Sequence, residues 1–179
     1  MTKPKGRLFY VIAAVDEQGG IGKDGGLPWR IPSELAYFKA VTSAAIRGRR
    51  NAVIMGRNTW ESIPEKFRPL SNRLNIVLTR DLMHVAHIGL PGMLFASTLE
   101  HALDLVDADG AIDDVFIIGG AQLYKEAVVH PNCEAIFLTL IKGTYDCDTF
   151  FPSLKREWVR VAYEEQPQWM ATVYKRVRE

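Results

Sequence analysis

The sequence predicts an α/β fold: a doubly wound, mainly parallel central sheet of about eight strands, with an antiparallel C-terminal edge and flanking helices. Short apolar segments recur along the chain, and each is followed by a glycine or polar break and then by a helical pattern. Most of these segments are nearly continuous apolar runs, which is typical of strands buried on both faces of a parallel sheet. After Ile141 the helical patterns stop, which predicts the antiparallel edge.

The candidate strands are short apolar runs bounded by glycine or polar residues. In chain order they are Leu8–Val15, Ala52–Met55, Leu74–Leu78, Met93–Ala96, Val115–Ile118, Ala135–Ile141, Trp158–Ala162 and Thr172–Val177. The last two have no helical pattern between them, so they form the expected antiparallel edge.

The segments between the strands carry helical patterns at Ser33–Ala44, Thr59–Ile63, Leu99–Val106 and Gln122–Val129. Pro32 and Ser33 suit the start of the first helix, and Ser97-Thr-Leu-Glu100 predicts a capping box at the third. No internal repeat or linker divides the chain, so we expect a single domain over residues 1–179. Sheets of this class bind ligands beyond the carboxyl ends of their strands.

The composition excludes several classes of function. With 47% hydrophobic residues, 24% charged residues and a net charge of +1, the chain is neither disordered nor suited to nucleic acid or an anionic membrane as its principal partner. Cys133 and Cys147 are too few for a disulfide framework or a zinc site, and the histidines show no ligand spacing, so no metal is expected. The polar start of the chain lacks a signal-peptide pattern, and we expect a cytoplasmic protein.

The most informative segment is Gly19–Trp29, called the flap below, which has five glycines in its first eight positions. It contains a literal Gly20-x-Gly22-x-x-Gly25, but a dinucleotide fingerprint needs a helix to open inside the motif, and Gly26-Leu27-Pro28 follows instead. Ordering so many glycines costs conformational entropy. The flap is therefore interpreted as a mobile loop over a pocket, with a plain surface loop as the alternative.

Glu34 stands in the first turn of the first predicted helix, where Phe38 and Val41 follow at i+4 and i+7 on the same face. It is either a desolvated functional carboxylate or a first-turn charge that is favourable on the helix dipole, and spacing alone favours the second interpretation. A buried carboxylate here would have a raised pKa and would suit a cationic or amidine-like ligand edge.

Three predicted strand ends have the character of anion sites. Gly56, Arg57 and Thr59 follow one strand, Thr79 and Arg80 follow the next, and Gly119-Gly120 follows a third and opens onto a helix. Any one of them could be a turn with a solvated side chain. Together they favour a phosphate-rich ligand. Further along, Asp146 and Asp148 are expected to form a solvated turn.

In this order the segments resemble dihydrofolate reductase over nearly the whole chain, from about Leu8 to Val177. The motifs that carry the resemblance are Ile21-Gly-Lys-x-Gly-x-Leu-Pro-Trp29, Val53-Ile-Met-Gly-Arg57 with Thr59-Trp60, Ser62-Ile-Pro-Glu-Lys66, Arg68-Pro-Leu-x-x-Arg73, Ile118-Gly-Gly120 with Tyr124-Lys125, and Asp148-Thr-Phe-Phe-Pro152. Each motif is weak alone, and the set is highly specific.

The resemblance implies a role for each matching position. Glu34 would hold the 2-amino and N3 edge of the pteridine, Arg73 would bind the substrate's glutamate carboxylate, and Trp29, Tyr124 and Thr139 would complete the catalytic set with Glu34. The remaining substrate positions are Ile12, Ala13, Ala14, Leu35, Phe38, Ile63, Leu70 and Ile118.

NADPH is the implied cofactor. Its phosphates would meet Arg57, Thr59, Thr79 and Arg80, and a cis Gly119–Gly120 peptide would bring backbone against it. The expected contacts are Ala14, Ile21, Gly25, Leu27, Gly56, Arg57, Asn58, Thr59, Leu78, Thr79, Arg80, Ser97, Ile118, Gly119, Gly120, Ala121, Gln122, Leu123 and Tyr124. Relatives often place a further arginine for the 2′-phosphate at one of two positions, which here hold Ser97 and Gln122.

The implied reaction passes a hydride from NADPH to C6 of 7,8-dihydrofolate while N5 gains a proton from water, giving tetrahydrofolate in an enzyme that antifolates inhibit. We expect the flap to close over the nicotinamide and a monomer to suffice. Two alternatives are a reductase of a ribosylamino-pyrimidine intermediate of flavin synthesis, and a catalytically idle folate-binding or RNA-binding module. Glu34 together with Leu-Pro-Trp29 and Arg73 disfavours the first, and the near-neutral charge disfavours RNA.

Overall fold

The structure is a computed structural model that describes residues 6–85 and 89–177. Its strands are β1 (Phe9–Val15), β2 (Gly20–Gly22), β3 (Arg50–Gly56), β4 (Arg73–Leu78), β5 (Met93–Ala96), β6 (Ile112–Ile117), β7 (Cys133–Ile141), β8 (Thr149–Phe150), β9 (Trp158–Glu165) and β10 (Trp169–Arg176). Its α-helices are α1 (Pro32–Ser43), α2 (Arg57–Ser62), α3 (Leu82–Val85), α4 (Leu99–Ala108) and α5 (Ala121–Val129), and a short 3-10 helix lies at Glu65–Phe67.

Eight of the strands form one sheet in the order β5-β4-β3-β6-β1-β7-β10-β9. The pairs from β5 to β7 are parallel, whereas β10 runs antiparallel to both β7 and β9. The predicted fold class is therefore confirmed, including the antiparallel C-terminal edge. Each predicted strand is present. However, β9 continues beyond its apolar pattern to Glu165, and β10 begins before its pattern, at Trp169.

Successive residues of one strand pack into different cores, and for this reason the strands have continuous apolar sequences. On β3, Ile54 packs in a core with residues of α4 and α5, while Val53 and Met55 pack in a second core with Phe38 of α1 and Trp60 of α2. Side chains alternate across a strand, so a sheet covered by helices on both faces needs apolar residues at every position. Helices on both faces are the doubly wound arrangement.

A second, two-stranded sheet pairs β2 of the flap with β8, in antiparallel register. The sequence did not predict it, because Gly20–Gly22 and Thr149–Phe150 are too short to show a strand period. The absence of a helix between Gly20 and Gly25 confirms that the dinucleotide fingerprint is a chance match.

The predicted capping box at Ser97 is wrong by one residue. Helix α4 begins at Leu99, and the N-cap is Thr98, whose side chain accepts a hydrogen bond from the His101 N–H at 3.1 Å. Thr98 has extended backbone angles, as an N-cap requires, so its hydroxyl reaches the first turn. Ser97 consequently lies between β5 and the N-cap of α4.

Among the helices of the described residues, none is long and apolar enough to cross a membrane. The first residues of the polar start, 1–5, lie outside the described part of the chain.

Candidate active site

A cleft of about 900 Å³ opens between the flap and the ends of four neighbouring strands. Gly56 ends β3, Leu78 ends β4, Ser97 follows β5, and Gly120 follows β6 just before α5. The flap covers the opposite side with residues from Ile21 to Leu27. The cleft therefore lies where parallel sheets bind ligands, beyond the carboxyl ends of adjacent strands.

Most of the residues predicted to contact a cofactor line this cleft. They are Ile21, Gly25, Leu27, Gly56, Arg57, Asn58, Thr59, Leu78, Thr79, Arg80, Ser97, Gly120, Ala121, Gln122 and Leu123. The four predicted contacts outside its lining are Ala14, Ile118, Gly119 and Tyr124.

A glycine is required at position 119, because its backbone is left-handed and the Tyr124 side chain lies against it. The Gly56 N–H donates to the Gly119 carbonyl at 2.8 Å, and the Gly119–Gly120 peptide is cis, as the resemblance implies. Gly119 has φ of +119°, and a Cβ at this position would lie 3.1 Å from the Tyr124 hydroxyl. That hydroxyl donates to the Ile12 carbonyl at 2.8 Å, so α5, β1 and the glycine turn are tied together.

Charges of both signs line the cleft. Arg57 pairs through Nε with Glu61 at 3.0 Å, one turn along α2, and Lys23 and Arg80 also belong to the lining. Asp81, Glu100 and Glu126 contribute carboxylates. The cleft is therefore not a uniformly basic surface, and an anion must be held by local donors at the strand ends.

Glu34 lies in the first turn of α1 and is 6% exposed. Among the described residues no cation or donor side chain pairs with its carboxylate, and burial raises its pKa to about 7. Its charge also contributes to the raised pKa values of Tyr37 and Tyr124, after the larger effect of burial on each. The structure thus settles the ambiguity of the sequence: Glu34 is a desolvated carboxylate rather than a surface charge at a helix end.

Five residues predicted for the substrate share one apolar cluster. They are Ile12, Phe38, Ile63, Leu70 and Ile118. Ala13 is buried in the other main core, Ala14 packs against a third cluster, which contains Trp29, and Leu35 is 46% exposed. Thr139, 2% exposed on β7, pairs in register with Ala14 of β1.

Arg73, at the start of β4, is 5% exposed. Its Nη1 donates to the Thr42 hydroxyl at 2.8 Å and its Nε to the Ser71 carbonyl at 2.9 Å. The guanidinium is thus fixed at the C-terminal end of α1, the helix that carries Glu34 at its other end. A planar donor group held in this way suits a carboxylate.

Trp29, at the end of the flap, is 6% exposed and packs edge-on against Tyr145 with ring centroids 5.4 Å apart. Its indole Nε1 is buried without a hydrogen-bond partner among the described residues. A buried N–H that no protein group satisfies is a donor available to a bound ligand or an ordered water.

Sequence reasoning missed the acids that hold the flap. Asp16, directly after β1, is 2% exposed and accepts hydrogen bonds from the N–H groups of Gln18, Gly20 and Tyr145. Although burial alone would raise its pKa, the hydrogen bonds from Tyr145, Gly20 and Gln18 hold the pKa below its usual value.

The turn at Asp146 and Asp148 is exposed, as predicted, but it also binds the flap. Asp146 pairs with Lys23 at 2.8 Å, and Asp148 accepts from the Asp24 N–H at 2.9 Å. An aspartate before a glycine-rich turn is a known signal for turn formation. The long-range partners are not visible in any local pattern.

No group of side chains suited to a metal ion occurs among the residues that the structure describes. Both cysteines are free, Cys133 in the core and Cys147 beside the flap.

A family model for dihydrofolate reductase matches residues 8–176, nearly the full length of the chain. The chain belongs to the dihydrofolate reductase family. It is 42% identical over 157 residues to the dihydrofolate reductase of Heliothis virescens, covering 87% of this chain and 85% of that protein. It is also 42% identical over 170 residues to the dihydrofolate reductase of Schistosoma mansoni, covering 92% of this chain and 87% of the relative.

Family members also occur inside longer proteins. The chain is 41% identical over 186 residues to the bifunctional dihydrofolate reductase-thymidylate synthase of Glycine max, covering 96% of this chain but 34% of that protein. The family as a whole is NADPH-dependent and reduces dihydrofolate to tetrahydrofolate.

Proposed function

We propose that this chain is an NADPH-dependent dihydrofolate reductase, which transfers a hydride to C6 of 7,8-dihydrofolate with protonation of N5 and yields tetrahydrofolate for one-carbon metabolism. The observation that carries the proposal is Glu34. It is a buried carboxyl without a partner among the described residues, and it lies on the helix whose Phe38 packs against the cluster of Ile12 and Ile118. Such a group gains most from a ligand that brings its own donors.

Glu34 would bind the 2-amino and N3 edge of the pteridine, since a carboxylate and an amidine-like edge can share two parallel hydrogen bonds. The donors would replace the water that burial removed from the carboxylate. Pairing would therefore lower the pKa of Glu34 again and orient the ring on the apolar cluster. Arg73, fixed at the far end of α1, would take the glutamate carboxylate of the same substrate.

The residues of the cleft fit NADPH. Glycines at positions 56 and 120 leave room for backbone to meet a ligand, and a Cβ at Gly120 would lie 3.4 Å from the Thr59 hydroxyl. Arg57, Thr59, Thr79 and Arg80 supply donors for phosphate at two neighbouring strand ends. When bound, the cofactor supplies the hydride, and the protein contributes orientation and electrostatics.

The flap and Trp29 would exclude bulk solvent from the reacting atoms. Ile21 and Leu27 line the cleft from above, and their apolar side chains would cover the nicotinamide. Glu34 would sit at the far edge of the pterin ring from N5, so we propose that a water admitted beside the flap delivers the proton. The unpartnered Trp29 N–H could donate a hydrogen bond to such a water or to the substrate.

The finer expectations stay part of this proposal: a single domain over residues 1–179, a cytoplasmic location, and inhibition by antifolates that present an amidine-like edge to Glu34. Two free cysteines and the near-neutral charge support the location.

The test follows nicotinamide absorbance with dihydrofolate and NADPH. Glu34→Gln should reduce the hydride-transfer rate at neutral pH by at least about a hundredfold, because a neutral amide cannot stabilise the cationic ring. NADPH affinity should remain nearly intact. Glu164→Gln, an exposed glutamate on β9, is the matched control.

Equal losses of turnover and of NADPH affinity in the Glu34→Gln variant would make the acid structural. Tight dihydrofolate binding without turnover in the unaltered protein would instead support the idle-module alternative. Turnover of a ribosylamino-pyrimidine alone would support the flavin-synthesis reductase.

A further inference from the structure

Helix α1 begins without a side chain that caps it. Its N-cap is Ile31, and the N–H groups of Glu34 and Leu35 both donate to the Ile31 carbonyl at 3.1 Å. A helix end of this kind frays more readily than a capped one, because its first N–H groups lack side-chain acceptors. Glu34 lies in this first turn, so the burial of its carboxylate depends on what holds the turn.

A tryptophan at the start of β10 contacts this turn. The Trp169 Nε1 donates to the Ser33 hydroxyl at 2.9 Å, and the Trp169 ring packs against Tyr37 with ring centroids 5.2 Å apart. Ser33 and Tyr37 are four positions apart and therefore lie on one side of α1. Trp169 is buried and belongs to the same apolar cluster as Ile31, the N-cap. One side chain of β10 thus spans the first turn of the helix.

A separate contact holds the side of α1 that carries Glu34. Phe38, four positions after Glu34, packs against the cluster that contains Ile12 and Ile118. Ser33 and Glu34 are adjacent in sequence, so the two contacts hold neighbouring sides of the same turn. The turn cannot rotate about the helix axis without breaking one of them.

We propose that Trp169 is a positioning residue for Glu34, which keeps the carboxylate buried and directed at the pterin through its hydrogen bond to Ser33. The inference rests on the proposed function, because it explains how the acid that would bind the substrate is held in place. Neither Trp169 nor Ser33 lines the cleft, so neither would touch the cofactor.

Two tyrosines respond to the charge of Glu34. They are Tyr37 of α1 and Tyr124 of α5, and burial is the larger cause of the raised pKa of each hydroxyl. Glu164 of β9 raises the pKa of Tyr37 as well. For Glu34 itself, burial is the cause of the raised pKa. A change in that pKa therefore reports a change in the hydration of the carboxylate.

Carbon-13 NMR of the glutamate side-chain carboxyls measures the pKa of Glu34, whose signal is assigned by its absence from Glu34→Gln. Trp169→Phe keeps a ring against Tyr37 but removes the N–H donor, and Ser33→Ala removes the acceptor. We expect either change to lower the Glu34 pKa from about 7 toward 4.5, because a looser turn admits water to the carboxylate. Ser33→Thr keeps a hydroxyl and should retain the raised pKa. Ser153→Ala, an exposed serine between β8 and β9, is the matched control.

Single-turnover kinetics tests the same contact during the reaction. Hydride transfer should slow about fivefold in Trp169→Phe and in Ser33→Ala, the factor that corresponds to the net free energy of one hydrogen bond. NADPH affinity should not change. The double variant should be no slower than either single variant, because both substitutions remove the same hydrogen bond.

A Glu34 pKa that stays at about 7 in both variants would overturn the proposal, even if the free energy of unfolding fell. Additive losses of rate in the double variant would also contradict it. If Trp169→Phe did not fold, Ser33→Ala would decide alone, since Ser33 is exposed. A lowered pKa in a protein that does not reduce dihydrofolate would support the positioning of Glu34 and overturn the proposed function.

Discussion

Glu34 illustrates how burial changes the acidity of an ordinary side chain, because it raises the pKa of this carboxyl group to about 7. Its spacing with Phe38 and Val41 is visible in the sequence, but the same spacing fits a surface charge at a helix start. The two interpretations are distinguished by packing. Phe38 and Val41 pack against the sheet, and the Glu34 carboxylate on the same helix is thereby removed from water. That packing is a property of the assembled fold, so no local pattern could have shown it.

The raised pKa of Glu34 makes the unligated protein less stable as pH increases. The ordinary pKa of a glutamate, 4.5, applies to the unfolded chain, whereas the pKa of Glu34 in the folded protein is about 7. The folded state therefore binds this proton more tightly than the unfolded state. The corresponding stability is fully present below about pH 4.5 and is lost as pH rises to about 7. The full effect is about 3 kcal/mol.

Glu34→Gln should abolish this loss. Urea unfolding at pH 5 and at pH 8 should show a smaller decrease in the free energy of unfolding for the variant than for the unaltered protein. An equal decrease in the free energy of unfolding between pH 5 and pH 8 in both proteins would mean that the pKa of Glu34 is not raised by folding.

Arg80 is the second residue whose role can be tested alone. Arg80→Ala should weaken NADPH much more than NADH, because only NADPH carries the extra phosphate. Fluorescence titration with both cofactors measures the difference, and Arg47→Ala, an exposed arginine outside the cleft lining, is the control. Equal weakening would show that Arg80 binds the common part of the two cofactors.

At the scale of elements, the flap is a small sheet rather than a free loop. Its β2 strand pairs with β8, and the contacts of Asp16, Asp146 and Asp148 hold its base and its tip. The glycine-rich composition of the flap predicted a loop over a pocket. It did not predict its partners, because these contacts join segments far apart in the chain.

Asp16 should matter most to the order of the flap. Asp16→Ala leaves three N–H groups without their acceptor, which should lower the free energy of unfolding by about 1–3 kcal/mol. It should also slow hydride transfer, since Gly20 would no longer be held. Urea unfolding and single-turnover kinetics measure the two effects.

Asp146→Ala is the comparison, because the Asp146 side chain is 93% exposed and such surface pairs contribute little. If both variants behaved alike, the buried carboxylate would have no special part in holding the flap.

At the scale of the whole molecule, the sheet was the most predictable feature. Continuous apolar runs identified β1, β3, β4 and β7, because burial on both faces leaves a strong mark on composition. Arg57 and Thr79 directly follow two of these strands, and their part in binding the cofactor stays a prediction. Asp16, which the sequence analysis missed, acts through contacts with the flap and with the distant residue Tyr145.

The molecule should be a monomer. The edge strand β9 is exposed along nearly its whole length, but Arg160, Glu164 and Glu165 place charges on it, and its register with β10 shifts between Val173 and Tyr174. Charges and irregular pairing oppose the addition of a further strand. Sedimentation at micromolar concentration should give a mass near 20.2 kDa, and a stable dimer would contradict the prediction.

The pairing of the flap with distant residues also determines when it can form. Lys23 and Asp146 are 123 positions apart in the sequence, and β8 follows the last parallel strand of the sheet. Closing so long a loop is entropically costly unless intervening strands have already brought its ends together. We therefore expect the flap to order last as the protein folds, so that a chain emerging during synthesis builds its sheet before it can enclose a ligand.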